Sequence, residues 1–413
     1  MKITLAETCT GCGAPLAHAF ADLGHMPPAN SLVPFSSAHD AELHLPLRAA
    51  VCGSCFLVQL LDRVDPGEVF QNYPYFSSVS RAWLAHAEAF AILAASQLGV
   101  GPGKLVVELA SNDGYLLQYM ARTGARCLGV EPAANVAAAA EARGIPTLVG
   151  FFGSETARAI VASHGLADLV VANNVLAHVP MLHDFVAGIA ILLQSNGVAS
   201  IEFPHLLNLL RQVQFDTIYH EHYFYYSLLA LMPILAKHGL VVADVEELPT
   251  HGGSLRVFVR HDSGAPQTQS AGVRALLDKE RAAGLARIES YSQFQTKVER
   301  ITRDLTGFLV AEAHAGHTVV GYGAAAKAAT LLNMAGVRRH LLPYVCDASP
   351  HKVGNLIPGC RIPIVAPDAI DRDRPSTVLI FPWNLKDEIA SDLARVRGWQ
   401  GRFAIAVPSL DVF

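Results

Sequence analysis

Charge is what this chain has least of. Only 16% of its 413 residues are charged, 31 basic against 36 acidic, for a formal net charge of −5. No basic block occurs, which argues against nucleic acid or an anionic membrane as the main partner. The first residues, MKITLAETCTGCG, contain no apolar signal region. The most apolar late run, SLLALMPILAKHGLVV, is interrupted by Pro233, Lys237 and His238 and does not read as a spanning helix. Low-complexity tracts and short-period repeats are absent, and 51% hydrophobic residues suit large cores. The expectation is a soluble, cytoplasmic protein of about two to three domains, a monomer or weak homo-oligomer.

Cysteine is sparse as well, with seven residues unevenly spread. Cys127, Cys346 and Cys360 are scattered and read as ordinary buried thiols. Cys9, Cys12, Cys52 and Cys55 instead form two CxxC pairs 39 residues apart. Four thiolates so arranged suit a tetrahedral zinc, and glycines in both knuckles let backbone amides approach the sulfurs. Two disulfides or a redox pair are the alternatives, the first disfavoured in a reducing compartment. A four-sulfur site is closed, so the zinc is expected to be structural.

An HExxH motif is missing, as is a three-glycine dinucleotide fingerprint in the first half of the chain. From Lys104 onward strands and helices alternate. LVVELA, CLGVEP, IPTLVG, ADLVVANN and GVASIEFP read as buried strands separated by helices, the pattern of a doubly wound sheet that takes its ligand at the strands' carboxyl ends. The first turn runs Glu108-Leu-Ala110-Ser-Asn112-Asp-Gly114, with one glycine and an acid at the strand end. Glu131, followed by Pro132, ends the second strand, where a carboxylate can hold two ribose hydroxyls. Asn173 and Asn174 end the fourth. This acid-then-acid arrangement is the class I S-adenosylmethionine pattern; a structural turn without a nucleotide is the plain alternative.

The densest chemistry lies in FDTIYHEHYFYYS, residues 215–227. Tyr219, His220, Glu221, His222 and Tyr223 are consecutive. An extended segment would split them between two faces, whereas a tight turn would let groups converge. Acid/base chemistry is the favoured reading, against a satisfied polar network or a metal site through His220 and His222. Further on, HTVVGYGAAAKAATLL reads as strand, glycine turn and helix. Gly321, Gly323 and Ala326 satisfy G-x-G-x-x-A, and Asp347 ends PYVCD near where a ribose-binding acid belongs. Taken alone, this is a nicotinamide-dinucleotide site.

These motifs together resemble a family. The paired CxxC, LGHMPPANS, YPYFSS, VVELASNDGYLL, NNVLAHVP, FDTIYHEHYFYYS, HGGSLR and GYGAAAKAATLLN are similar to those of the zinc-containing, S-adenosylmethionine-dependent C-methyltransferases of nucleotide-linked keto-deoxysugars, C-3′-methyltransferases among them. The resemblance covers essentially the whole chain. It implies an α/β protein with a zinc-binding domain at 1–70, a class I methyltransferase Rossmann-like domain at 71–265 and a second, C-terminal Rossmann-like domain at 266–413 that closes over the nucleotide sugar. It implies His222 as the base, with Tyr219, Glu221, His178 and Tyr73 around it. Tyr75 is the alternative to Tyr73 and otherwise a substrate contact. It places His220, Ser254, Arg256, Tyr322, Gly323 and Lys327 on the substrate, the last near its pyrophosphate at a helix N-terminus. Ala324 to Ala326 depart from the family's usual Gly or Pro there. A base cluster fits carbon methylation, because a sugar C–H beside a ketone becomes nucleophilic only as an enolate. The rival functions are an O- or N-methyltransferase, a nicotinamide-dependent nucleotide-sugar oxidoreductase, and a non-enzymatic zinc protein.

Overall fold

The computed structural model describes residues 3–69, 76–264, 269–397, 399 and 401–413. Its centre is a seven-stranded sheet of β1 (Leu105–Leu109), β2 (Arg126–Glu131), β3 (Thr147–Val149), β4 (Ala167–Asn173), β5 (Leu193–Pro204), β6 (Leu240–Leu248) and β7 (Ser254–His261). The spatial order is 3-2-1-4-5-7-6. The first five strands are parallel, and β7 runs antiparallel between β5 and β6. All five residues of β1 are buried, as a central parallel strand covered on both faces requires. The order reverses between β1 and β4, which opens a crevice at their carboxyl ends.

The N-terminal module is an antiparallel sheet of His18–Met26, Leu45–Val51 and Val58–Leu60. Its fourth strand, Phe224–Tyr225, comes from the far side of the His-rich stretch and pairs with Val58 and Gln59. The segment between the two cysteine pairs contains a nine-residue strand, which passes through Leu23 to Met26 despite Gly24.

The C-terminal sheet has six strands in the order Ile364–Val365, Val345–Cys346, Val319–Tyr322, Thr377–Ile380, Arg402–Ile405 and Asp411–Val412, all parallel except the last. The helix Phe294–His314 leads into it. Phe294, Val298, Ile301, Leu305 and Leu309 make one buried stripe of this helix. Burial of such side chains contributes about 1.5–3 kcal/mol each, and Phe294 stacks on Phe20 of the N-terminal module at 4.3 Å. The module also grips the C-terminal unit directly. Val33–Pro34 pairs with Asn355–Leu356, and the Glu42 carboxylate accepts from the Gly359 amide and from Arg361. Among the described residues no helix is long and apolar enough to cross a membrane.

Candidate active site

The loop after β1 is bent by residues with positive φ at Ala110 (54°), Asn112 (49°) and Gly114 (76°). Left-handed backbone is costly for alanine, and such strain collects at functional sites. Glu131, at the end of β2, restrains the loop: its oxygens accept from the Asn112 and Ala133 amides, both at 2.9 Å. Two lone-pair positions of the carboxylate remain. Around this crevice, among the described residues, lie buried polar atoms without a hydrogen-bond partner, Ser111 Oγ, Asp113 Oδ1 and the amide oxygens of Asn173 and Asn174, together with the Glu108 carboxyl, which Tyr115 supports. So many orphans at one strand edge suit a polar ligand that brings its own donors. Burial pushes the Glu108 carboxyl well up, and the charges of Glu131 and Asp113 add to it. The fit to S-adenosylmethionine is therefore good: a carboxylate for ribose, a strained turn with Pro132 beside it, and an unsatisfied polar wall.

The residues from Phe215 to His222 are neither extended nor helical throughout. A short 3₁₀ turn, Phe215–Thr217, is followed by a tight turn closed by the His222 amide on the Tyr219 carbonyl at 2.9 Å. The turn brings Tyr219 and His222 together, with ring centroids 4.0 Å apart. The next amide, of Tyr223, bonds the Ala177 carbonyl at 2.7 Å and so draws in the segment Leu176–His178 that follows β4. The His178 ring then stands edge-on to His222 at 4.6 Å. His222 Nδ1 lies 2.8 Å from the Thr217 carbonyl. A carbonyl only accepts, so Nδ1 carries the proton and Nε2 presents its lone pair. Both imidazoles are half-buried yet closely surrounded. Burial, and then His178, hold His222 well below the ordinary imidazole range, and burial takes His178 down to about 4. A neutral, tautomer-fixed histidine is a competent base at neutral pH.

The two middle residues of the turn go elsewhere. His220 is 1% exposed, and its Nε2 meets the Pro46 carbonyl of the N-terminal module at 3.2 Å. Both Glu221 oxygens accept from Asn30 Nδ2 of the same module at 2.8 Å. His220 therefore leaves the substrate group, and its pairing with His222 on a metal does not form. Glu221 acts on the turn from outside. Tyr73 and Tyr75 lie outside the described residues. The stretch that follows them is pinned to the cofactor loop: the Ser77 amide donates to Asn112 Oδ1 at 2.8 Å, and Ser78 Oγ donates to Asp113, which also binds Arg143.

Ser254 and Arg256 also depart from the expected substrate role. Ser254 Oγ donates to the Thr250 carbonyl, fully buried. Arg256 is 3% exposed and forks between Glu202, opposite it on β5, and Glu246 on β6. Its guanidinium is consumed by the sheet. What the HGG turn contributes instead is His251, held at φ 53°, 5.2 Å from Trp83, and pushed down to about 4 by burial and then by Lys327. The motif signalled the turn, but not that its histidine faces the cleft. Two further groups were not singled out. Trp383 packs against Gly252, where a Cβ would collide with its ring. Its Nε1 donates to Asp216 Oδ2 at 2.8 Å.

In the C-terminal unit the glycine turn serves the chain itself. A Cβ on Gly323 would strike Pro382, so the glycine answers a crossing segment and leaves a pyrophosphate no open approach on that side. Half-buried Tyr322 ends the strand. The Asp347 oxygens accept from the Ala324 and Ser349 amides, both at 2.8 Å, and the carboxylate pairs with Lys352. Like Glu131, Asp347 holds two amides, but unlike Glu131 it also carries a lysine, which weakens the dinucleotide reading. Lys327 turns into the cleft, where it donates to Asn384 at 3.0 Å and lies 4.3 Å from the centre of the Trp383 ring.

Far from this cleft, the sulfurs of Cys9, Cys12, Cys52 and Cys55 all lie within 4.8 Å of one another, with two pairs at 3.5 Å and no disulfide. Tetrahedral zinc with bonds of about 2.3 Å needs sulfurs about 3.8 Å apart. The Ser54 and Cys55 amides point at Cys52 Sγ. The site fits a structural zinc.

Three family models match in succession: a domain proposed to bind zinc over residues 9–70, a methyltransferase domain over 81–245 and a C-methyltransferase C-terminal domain over 249–408. Among solved structures, the chain is similar to the PH0226 protein of Pyrococcus horikoshii OT3 (15% identity, 47% of this chain and 98% of that one, TM-score 0.37). It is similar also to an S-adenosylmethionine-dependent methyltransferase of Mesorhizobium loti (15% identity, 43% and 100%, TM-score 0.35). The fold assignment rests instead on the strand order and the domain match, which make the centre a class I methyltransferase Rossmann-like unit. The chain is similar to the C-methyltransferase NovU of Streptomyces niveus, 34% identical over 405 residues, spanning 97% of this chain and 96% of that protein. A likeness of that extent means that the chain belongs to the C-methyltransferase family and is an S-adenosylmethionine-dependent C-methyltransferase.

Proposed function

We propose that this enzyme methylates a ring carbon, C3′, of a nucleotide-linked 4-keto deoxysugar, with dTDP as the nucleotide, through a base-generated enolate. The observation that carries the reading is His222: Nδ1 is committed to the Thr217 carbonyl and Nε2 is left basic beside Tyr219 and His178. Methylation at oxygen or nitrogen starts from an atom that already has a lone pair, so a base there assists the reaction but does not have to create the nucleophile. Methylation at carbon does need a base to create it. The three-part organisation, 1–70, 71–265 and 266–413, supplies a structural module, the cofactor unit and a unit that closes over the sugar nucleotide.

His222 Nε2 takes the proton from the carbon beside the ketone. Tyr219 and His178 orient the carbonyl and hydroxyl groups of the sugar. The family resemblance adds Tyr73, or Tyr75 in its place, to this group. Glu131 would hold the ribose of S-adenosylmethionine; Ala110, Asn112 and Gly114 would face its methionine part, and Glu108, Asn173 and Asn174 would line the crevice. When bound, the cofactor supplies an electrophilic methyl group. The residues of this chain then have only to align carbon and methyl and to exclude water.

The test is mass spectrometry of products from a panel of TDP-, GDP- and CDP-linked 4-keto sugars. A gain of one methyl on the sugar's carbon skeleton is expected with one of them. Methylation of a hydroxyl, or of none of the panel while another small molecule is methylated, would sink the reading.

A further inference from the structure

We infer that Lys327 is a catalytic residue: its ammonium faces the substrate's carbonyl oxygen and balances the negative charge that forms there when His222 takes the neighbouring proton. This rests on the enolate reading above. The resemblance put Lys327 on pyrophosphate, but the surroundings do not. The loop amide that would start such an anion site, Ala324 N–H, is occupied by Asp347, and Pro382 closes over Gly323. Lys327 instead reaches inward from the first turn of the helix Ala326–Met334. Its Nζ lies over the Trp383 face and donates one of its three N–H groups to Asn384 Oδ1.

Burial lowers the Lys327 ammonium from its ordinary range and Asp216 opposes that; Asp216 is itself fully buried and accepts from Trp383 Nε1 on one oxygen. Trp383 thus joins the two ions, its ring against the ammonium and its N–H on the carboxylate. Asp216 and Trp383 are positioning residues. The helix that carries Lys327 packs on the catalytic turn: its Thr330 Oγ1 donates to the Ile218 carbonyl at 3.4 Å, next to the Thr217 carbonyl that holds His222 Nδ1. Burial and His178 depress His222 before Lys327 does, and burial and then Lys327 depress His251. His222 is faced in addition by His178 and Tyr219, and His251 by His86 and Glu202. A cation beside a base does two things. It keeps the base unprotonated, and it rewards the anion that the base creates. In the step itself, the C–H pair becomes the C=C bond, the carbonyl π pair moves to oxygen, and the proton goes to His222 Nε2. The oxygen's new charge then lies against Lys327.

The first measurement needs no substrate. Titration of the His222 ring by NMR, assigned with His222→Gln, is expected to give a higher pKa in Lys327→Met and an unchanged one in Lys327→Arg. The double variant Lys327→Met/Asp216→Asn removes the stranded carboxylate should the single one fold poorly. An unmoved His222 titration in the folded variant would overturn the inference. The second measurement is deuterium exchange at the carbon beside the ketone, at saturating keto sugar nucleotide and without methyl donor. Lys327→Met is expected to exchange about 10²–10³-fold more slowly, with thymidine diphosphate affinity unchanged. Exchange at the wild-type rate with lost diphosphate affinity would make Lys327 a phosphate ligand and overturn the proposal. Should wild-type protein exchange none of the panel, the substrate reading falls, and the histidine titration decides the role of Lys327.

Discussion

Replacing His222 by glutamine separates chemistry from architecture. A glutamine amide can still donate to the Thr217 carbonyl that His222 Nδ1 meets at 2.8 Å, so the turn survives, but it offers no basic nitrogen. A general base contributes about 10²–10⁴-fold, which at 1.36 kcal/mol per decade is about 2.7–5.5 kcal/mol of barrier. The stability change is expected to stay within about 1 kcal/mol, the worth of one retained hydrogen bond. His220→Gln is the contrast. His220 is buried against the Pro46 carbonyl, so its loss should lower stability and leave turnover at saturation near wild type. The pH profile adds an independent check. The base acts unprotonated, so activity falls as pH drops through its pKa. Burial, followed by His178, holds that pKa well below the ordinary 6.5. The acidic limb of kcat/KM should therefore lie below 6.5 and vanish in His222→Gln. A limb above neutrality, or a His222→Gln enzyme that methylates normally while His220→Gln is dead, would refute the assignment.

Other outcomes follow from the same geometry. Elemental analysis should find one zinc per chain, lost in Cys52→Ser together with the order of the N-terminal module; no zinc and four freely titrating thiols would refute the site. Glu131→Gln should weaken S-adenosylmethionine by about 1.5–3 kcal/mol, the worth of charged hydrogen bonds, and an unchanged calorimetric Kd would sink the ribose role. Arg256→Met leaves Glu202 buried without its guanidinium and should destabilise by about 3–5 kcal/mol; a raised KM at unchanged stability would restore Arg256 to the substrate.

Where local pattern decides structure, the sequence was enough. LVVELA and ADLVVANN are apolar runs of strand length and became adjacent central strands. The cysteine spacing likewise placed four sulfurs in one cluster. The His-rich stretch could not be resolved this way, because its conformation depends on partners far away in sequence. Phe224 pairs with Gln59, Glu221 with Asn30 and Tyr223 with Ala177, and these contacts decide which of two neighbouring histidines faces the cleft. Arg256 looked like a substrate contact because its partner, Glu202, meets it only through strand register. His251 was passed over because its orientation depends on a positive φ and on Trp383, which arrives from the C-terminal unit. Gly323 and Asp347 fit a dinucleotide motif by spacing, yet each is satisfied by the chain itself.

Glu221 shows how the N-terminal module bears on the catalytic turn. It is 2% exposed, and both its oxygens accept from Asn30 Nδ2. Burial pushes its carboxyl from 4.5 up to about 7, with Asn30 opposing. The folded state therefore binds a proton there that the unfolded chain has already released between those two values. Stability must fall as pH rises through this window, and the full penalty is present above it. A shift of that size corresponds to about 3 kcal/mol at 1.36 kcal/mol per unit. Glu221→Gln mimics the protonated acid. It should match wild type near pH 4.5 and exceed it in denaturation free energy by up to about 3 kcal/mol at pH 8. Asn30→Leu should carry the wild-type fall to higher pH and deepen it, since it removes the group that holds the shift down. If Glu221→Gln and wild type run parallel from pH 4.5 to 8, Glu221 is ionised throughout. The turn is then held by a charged contact with the module, and His178, whose ring is supported by the Glu221 backbone, sits beside a permanent anion.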